Sequence, residues 1–162
     1  MSSNDSISKT LIVALSLCIV CSVIVSTAVV VLKPTQEINK TLDRKRNILA
    51  AAGMLEEGRS IDEQFADVET RVVDLTTGKF ADGAVDPSKY EQRKAAKDPE
   101  RSEALTPAQD VAKISRREQY ALVYIVQNAQ GDIDKIILPI RGYGLWSTMH
   151  GFIALEADGN TI

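Results

Sequence analysis

The sequence predicts an α+β protein, with a single N-terminal transmembrane helix followed by one extramembrane domain built around an antiparallel sheet. Three observations indicate this. Residues 10–32 contain no charge, no proline and no glycine. About 130 residues follow them, which is enough for one ordinary domain. Residues 120–156 are rich in β-branched and aromatic residues between turn signals, as is typical of strands.

Residues 10–32 have the length of a membrane span. At about 1.5 Å per residue the run reaches roughly 35 Å, slightly more than the ~30 Å apolar core of a bilayer. A cleaved signal peptide usually has an apolar core of only about 7–15 residues. A buried core helix rarely continues so far without a polar face. We therefore expect residues 1–9 to be a short tail and residues 10–32 an uncleaved anchor in membrane lipid.

Charge alone does not settle which side of the membrane the domain occupies. Only Lys9 precedes the apolar run, whereas five basic residues follow it closely, at Lys33, Lys40, Arg44, Lys45 and Arg46. The positive-inside rule then places the domain in the cytoplasm, but long domains translocate largely regardless of charge.

Composition excludes several functional classes. The net charge is −3 with both signs intermixed, which argues against a nucleic-acid partner. Cys18 and Cys21 both lie in the apolar run, so the extramembrane domain has no thiol for a disulfide or a metal. We interpret the pair as packing residues rather than an intramembrane metal site. His150 is the only histidine, and we expect no metal centre.

Residues 34–53 predict a helix that leaves the membrane. Apolar residues recur there at helical spacing, and Gly53 is suited to a left-handed C-cap. The apolar positions are Ile38, Leu42, Ile48, Leu49 and Ala52.

The next segment predicts a helix, a strand and a turn in that order. Ser60 and Glu63 form a capping-box pattern that predicts a short helix over 60–68. Residues 71–75 predict a strand, and 76–78 a turn.

Residues 82–118 are polar and charged, and they predict a solvated, helical arm without catalytic residues. We expect two short helices in it, over 87–97 and 107–117. Thr106 is placed to cap the second, with Pro107 as its first residue.

The remaining residues predict the sheet. Residues 120–126 and 133–140 form a hairpin around the loop 128–132, and 149–156 form a third strand. Asp158 and Gly159 supply a turn, after which 160–162 begin a further strand. A strand of that length leaves an open sheet edge. We expect that the natural chain is longer, the alternative being a partner protein that completes the sheet.

Residues 141–146 are the candidate site. Gly142 and Gly144 allow close backbone approach to a planar ligand, or a positive φ. Tyr143 and Trp146 offer flat faces for stacking. The alternative is a bulge at the end of the sheet, with its aromatic side chains filling the core. No nucleotide fingerprint, nucleophile elbow or acid–base pair is visible in the sequence.

Many short segments, in order along the whole chain, resemble the C subunit of the sodium-translocating NADH:quinone reductase, a bacterial membrane redox pump. The element Gly-x-Gly-Leu-Trp-Ser at 142–147 favours this family over the related subunit of the Rnf-type complex. The other segments are 42–49, 52–53, 71–78, 90–97, 105–110, 114–117, 137–139 and 156–161.

The resemblance implies an FMN-binding-type domain on the periplasmic side of the bacterial inner membrane. In this family the FMN phosphate is bound to a threonine of a Ser-Gly-Ala-Thr type motif. Electrons from NADH pass through partner subunits along several flavins and an iron centre to ubiquinone, and this transfer is coupled to sodium export.

The sequence departs from the family pattern in one respect. It contains no Ser-Gly-Ala-Thr motif, so no residue is assigned as the covalent FMN site, and Thr161 is not a candidate. Family members also continue beyond Ile162, from which we expect a partial domain, truncated at its C-terminus. For the flavin-facing wall we expect Gly142, Gly144, Leu145 and Trp146. The alternative function is a flavin-free, membrane-anchored scaffold or assembly protein.

Overall fold

The computed structural model describes residues 6–81 and 83–162, so most of the predicted tail lies outside the described residues. The chain divides into two compact units, one ending at Leu42 and the other comprising Asp43–Ile162. Helices and strands follow one another in the order α1 (Ile7–Ala51), α2 (Ile61–Phe65), β1 (Val68–Asp74), β2 (Lys79–Phe80), α3 (Gln92–Ala95), β3 (Ser102–Ala104), β4 (Arg116–Glu118), β5 (Tyr120–Gln127), β6 (Ile133–Tyr143) and β7 (Thr148–Glu156).

Helix α1 joins the predicted anchor and the helix after it into one 45-residue element that contains Pro34. By length and composition it is able to cross a membrane, and its apolar stretch has no buried part in the described structure. The alternative of a buried core helix is therefore wrong. A signal sequence shares these properties, so the uncleaved state of the anchor stays a prediction.

The predicted C-cap of α1 is confirmed. Gly53 has a φ of +69°, in the left-handed region. The Met54 N–H donates to the Leu49 carbonyl at 2.9 Å, and the Gly53 N–H donates to the Ala50 carbonyl at 3.1 Å. This is the Schellman arrangement, which satisfies carbonyls at the end of the helix.

The main sheet has five antiparallel strands in the order β2-β1-β5-β6-β7. The predicted hairpin of β5 and β6 and the third strand, β7, are confirmed. The sequence missed β2, which pairs with β1 across the predicted turn. That turn closes with the Gly78 N–H donating to the Asp74 carbonyl at 2.8 Å.

One face of the sheet carries the main core. Ile48 and Leu49 of α1 are fully buried in one cluster with Val72, Leu122 and Ile137 of the sheet. Tyr124, also in the cluster, makes edge contacts with Phe65 and Phe152, with ring centroids 6.2 and 6.0 Å apart. Ile38, which the spacing placed on the same stripe, is exposed. Only the end of α1 therefore contributes to this core.

Helix α2 is shorter than predicted. It begins after Ser60 as expected, but the Ser60 side chain makes no capping hydrogen bond and the helix ends at Phe65. Val68 instead begins β1, where it is buried in the core. The preceding loop is held by the buried Gln64 side chain, which accepts from the Glu56 N–H at 2.9 Å and donates to the Arg59 carbonyl at 3.1 Å.

The two helices predicted in 82–118 are largely wrong. The first is reduced to the four residues of α3, and 107–117 contain no helix. The Asp110 carboxylate accepts from the N–H groups of Ile114 and Ser115, at 2.7 and 2.9 Å. Lys113 and Ser115 have φ values of +52° and +64°, which a right-handed helix does not allow. The chain then enters β4, which pairs with β3 in a separate two-stranded sheet.

This segment is also packed on the sheet and is not a solvated arm. Tyr90 and Ala95 belong to the buried cluster. The Tyr90 hydroxyl donates to the Tyr120 carbonyl at 2.8 Å, and burial raises the pKa of Tyr90 above its usual value. Sequence polarity missed this, because a few buried residues among many charged ones are enough to dock a short segment.

A buried ion pair connects the segment to the sheet. Glu118 is 6% exposed and accepts hydrogen bonds from Gln92 at 2.5 Å and from Arg141 at 2.6 Å. The Gln92 side-chain oxygen accepts from the Leu122 N–H at 3.1 Å. Arg141 also donates to the Arg116 carbonyl at 2.8 Å. The network thereby joins α3, β4, β5 and β6.

The strand predicted at 160–162 does not form. The Asp158 carboxylate accepts from the Asn160 N–H, the Thr161 N–H and the Thr161 hydroxyl, at 2.9, 2.9 and 2.6 Å. These hydrogen bonds, the one from the Thr161 hydroxyl first, lower the pKa of Asp158 to about 2. The predicted turn is confirmed, with a φ of +67° at Gly159.

We expect Glu118→Leu to destabilise the domain by about 3 kcal/mol, because Arg141 keeps a poorly hydrated charge without its partner. Adding Arg141→Met should recover part of that loss, since no unpaired charge remains. Urea unfolding of the detergent-solubilised chain, followed by circular dichroism, measures both. Glu103→Leu is the control, because its pair with Arg117 is exposed and 3.8 Å long; it should cost less than about 0.5 kcal/mol. Strictly additive losses would contradict the coupling.

Candidate functional site

The candidate residues form the tip of the β6–β7 hairpin. Tyr143 and Thr148 are the last paired residues, and the Gly144 N–H donates to the Ser147 carbonyl at 2.9 Å. Leu145 and Trp146 are thus the two residues at the turn itself.

Leu145 and Trp146 are almost fully exposed, at 90% and 92%, and Tyr143 is 61% exposed. The alternative in which these aromatic side chains fill the core is therefore wrong. Solvated tryptophan and leucine side chains side by side are uncommon on a protein surface without a partner. The indole ring is free to stack on a planar group.

The two glycines of the tip differ in what they allow. Neither has a positive φ, so that expectation is wrong. A Cβ on Gly144 would come within 2.9 Å of Met149 Cγ and 3.1 Å of the Ser147 carbonyl oxygen. A Cβ on Gly142 would make only ordinary contact, 3.8 Å from the Ala112 carbonyl oxygen. Gly144 is therefore required by the packing of the hairpin itself, whether or not a ligand approaches.

The loop before β4 supports the base of the hairpin. The Tyr143 N–H donates to the Ala112 carbonyl at 2.8 Å. Arg141, two residues earlier on the same strand, is held by Glu118 and the Arg116 carbonyl. The tip therefore projects from a braced strand pair.

The base of the hairpin is electropositive. His150 lies opposite Arg141 in the β6–β7 register. Partial burial lowers the pKa of His150, and the positive charges of Arg93, Arg141 and Lys97 lower it further. Such a site favours an anion. Sequence analysis did not identify Arg93 and Lys97, because they lie more than 50 residues before His150 and no local pattern links them.

A groove of about 600 Å³ lies on the second face of the sheet. Its floor is apolar, and one end is polar, where Gln92, Glu118 and Arg141 converge. The apolar residues include Val73, Phe80, Ile125, Ile136, Leu138 and Ile140. The volume is in the range of small-molecule and cofactor sites. The sequence did carry a signal for it, since 120–126 are almost continuously apolar where a half-exposed strand would alternate.

These residues fit a flavin in part. The indole of Trp146 supplies a stacking surface, and the basic cluster suits a phosphate or a reduced, anionic ring. The Thr161 hydroxyl is engaged by Asp158, and no family attachment motif is present in the sequence. Among the described residues, no group of three or more His, Cys, Asp or Glu side chains could hold a metal ion.

The chain is similar to proteins of one kind over nearly its whole length. It is 51% identical over 99% of its length to the C subunit of the Na(+)-translocating NADH-quinone reductase of Vibrio alginolyticus. It is 51% identical over 100% of its length to the C subunit of the same reductase in Pseudomonas aeruginosa. The chain belongs to this family of C subunits. It spans about three fifths of the length of these relatives, 62% and 63%.

A solved structure agrees with this family. The NqrC protein of Shewanella oneidensis matches with a TM-score of 0.66 and 34% identity, covering 76% of this chain and 57% of the other. No family model matches the chain. The relatives are named as subunits of an oxidoreductase, so the NqrC family belongs to an assembly of several proteins.

We expect Gly144→Ala to destabilise the domain by about 1–2 kcal/mol, since the new methyl group must displace the Met149 side chain against the hairpin turn. Gly142→Ala, the matched control, should change stability by less than about 0.5 kcal/mol. Thermal unfolding measures both. Equal effects at the two positions would contradict the difference between their surroundings.

We expect Arg93→Gln and Lys97→Gln each to raise the pKa of His150, because removing a nearby positive charge favours the imidazolium form. An NMR titration resolves this cleanly, since the chain has one histidine. Lys79→Gln, at the opposite edge of the sheet, should leave the His150 pKa unchanged. A pKa that does not move in either of the first two variants would show that their charges do not reach the hairpin.

Proposed function

We propose that the chain is the electron-carrying part of an NqrC protein that holds an FMN, and that it relays electrons from NADH toward ubiquinone in a sodium-exporting membrane reductase. The single observation that carries this proposal is the 51% identity over 99% of the chain to the C subunit of that enzyme. Its partners are the other subunits of the reductase. The chain would not be catalytic alone, because its task is to hold the cofactor in position.

We place the flavin against the hairpin tip. Gly142, Gly144, Leu145 and Trp146 form the proposed wall. Support comes from the exposed Trp146 ring and from the positive charges around His150, which suit the FMN phosphate. When bound, FMN would supply reversible electron transfer; the chain itself would orient the ring and stabilise negative charge.

We also propose that α1 anchors the chain in the bacterial inner membrane as a single span. The domain would then face the periplasm. Family membership supports this side, whereas the basic residues after the apolar run favour the cytoplasm. A long domain translocates largely regardless of such charges, which is why family membership decides.

The test is flavin analysis of the protein purified from its native membranes. In-gel flavin fluorescence should be positive, and Trp146→Ala should shift the flavin absorption maximum or its reduction potential without removing the flavin. Trp146→Phe keeps a flat ring and should retain most of the wild-type spectrum.

Two results would contradict the proposal. A protein without flavin would favour the scaffold function. An unchanged flavin spectrum in Trp146→Ala, together with a flavin-positive gel, would remove the hairpin tip from the site and leave the carrier function in place.

A further inference from the structure

The main sheet is apolar on both faces, and only one face carries the main core. On β5, Leu122, Tyr124 and Val126 belong to the cluster around Ile48 and Leu49. Val123 and Ile125 alternate with them and point to the other side, as successive residues of a strand do.

The register extends this second apolar face across three strands. Ile125 is paired with Ile136, and Ile136 with Leu155. Leu138 is paired with Ile153. These pairs form a continuous apolar floor, which is the floor of the groove described above. Antiparallel sheets that face water on one side normally place polar residues there, so a floor of this kind indicates a covered face.

The rim of this face remains exposed to solvent. Phe80 is 44% exposed, Ile133 42% and Ile140 49%. Arg71 lies over the Phe80 ring, 3.6 Å from its centroid, and shields only that corner. Large solvated aliphatic side chains around a groove of about 600 Å³ are typical of an interaction surface.

We propose that this second sheet face is the docking surface for an amphipathic helix, supplied by the part of the NqrC protein that this chain does not span. The sheet would then be the middle layer between two helical layers. A helix with one apolar stripe is the usual cover for an open sheet face, because it satisfies its own backbone hydrogen bonds.

The relatives supply a specific occupant. The match leaves nearly two fifths of the Vibrio alginolyticus protein uncovered, since it spans 62% of that chain. It leaves a similar share of the Shewanella oneidensis structure uncovered, since it spans 57% of that chain. Polypeptide of that length is enough for a covering layer, which favours it over a second copy of this chain. The inference is independent of the flavin, because it concerns apolar packing alone.

The first test measures access to the groove. The full chain with Cys18→Ser and Cys21→Ser is reconstituted in nanodiscs, and Ile140→Cys provides a reporter on the rim. Maleimide labelling is followed with and without a polypeptide made of the Vibrio alginolyticus residues outside the match. We expect labelling to slow at least tenfold with the polypeptide present. Glu57→Cys, exposed and outside the groove, should label at the same rate in both.

The second test measures binding with a matched pair of variants. Ile140→Lys should weaken the polypeptide's affinity at least tenfold, because the rim side chain is exposed in the free chain and apolar in the contact. Val111→Lys makes the same change at an 89% exposed valine outside the groove, and it should leave the affinity unchanged. Both sites are solvated, so folding should be preserved in each variant.

Several outcomes would overturn the proposal. These are unchanged labelling of Ile140→Cys with the polypeptide present, and equal binding by the Ile140→Lys and Val111→Lys variants. Light scattering supplies a third: a dimer of the chain that Ile140→Lys makes monomeric would assign the face to a second copy. None of these results bears on whether the NqrC protein carries flavin.

Discussion

Strand β5 has apolar side chains on both of its faces, and the architecture of the domain depends on this. A fully buried valine, leucine or isoleucine side chain contributes roughly 1.5–3 kcal/mol relative to an exposed one. The strand offers five such or larger positions in succession, from Leu122 to Val126. Because it lies in the middle of the sheet, neither face can be left to water without cost. The end of α1 covers one face, and the groove marks the other.

The polar segment before β5 follows from the same constraint. Most of it is charged, but Tyr90 and Ala95 add to the core on the α1 side. Its remaining attachment is the network of Gln92, Glu118 and Arg141, which lies at the polar end of the groove. Glu118 is nearly buried and would be costly there without a partner, whereas with Arg141 it holds the segment against β6. The ion pair therefore sets where the groove ends and where the hairpin is braced.

That bracing explains how an exposed tip has a defined position. Arg141 and the Tyr143 N–H fix the last residues of β6, and the Gly144–Ser147 hydrogen bond closes the turn. Leu145 and Trp146 then project from a rigid base. For a proposed electron carrier this matters, because the orientation of a cofactor is set by the groups that hold it. The basic residues around His150 complete the surroundings of the tip.

The sequence by itself determined the α+β class, the long apolar helix, the Gly53 cap, the β5–β6 hairpin and β7, since each rests on local periodicity or turn chemistry. It also identified the segment with Gly142, Gly144, Leu145 and Trp146, and the family by resemblance. The tertiary structure decided the rest. Asp110 redirects the backbone of a predicted helix through contacts with Ile114 and Ser115, and burial docks a segment that reads as solvated. The Glu118–Arg141 pair and the charges near His150 join residues far apart in the chain, and such pairings leave no trace in any local pattern.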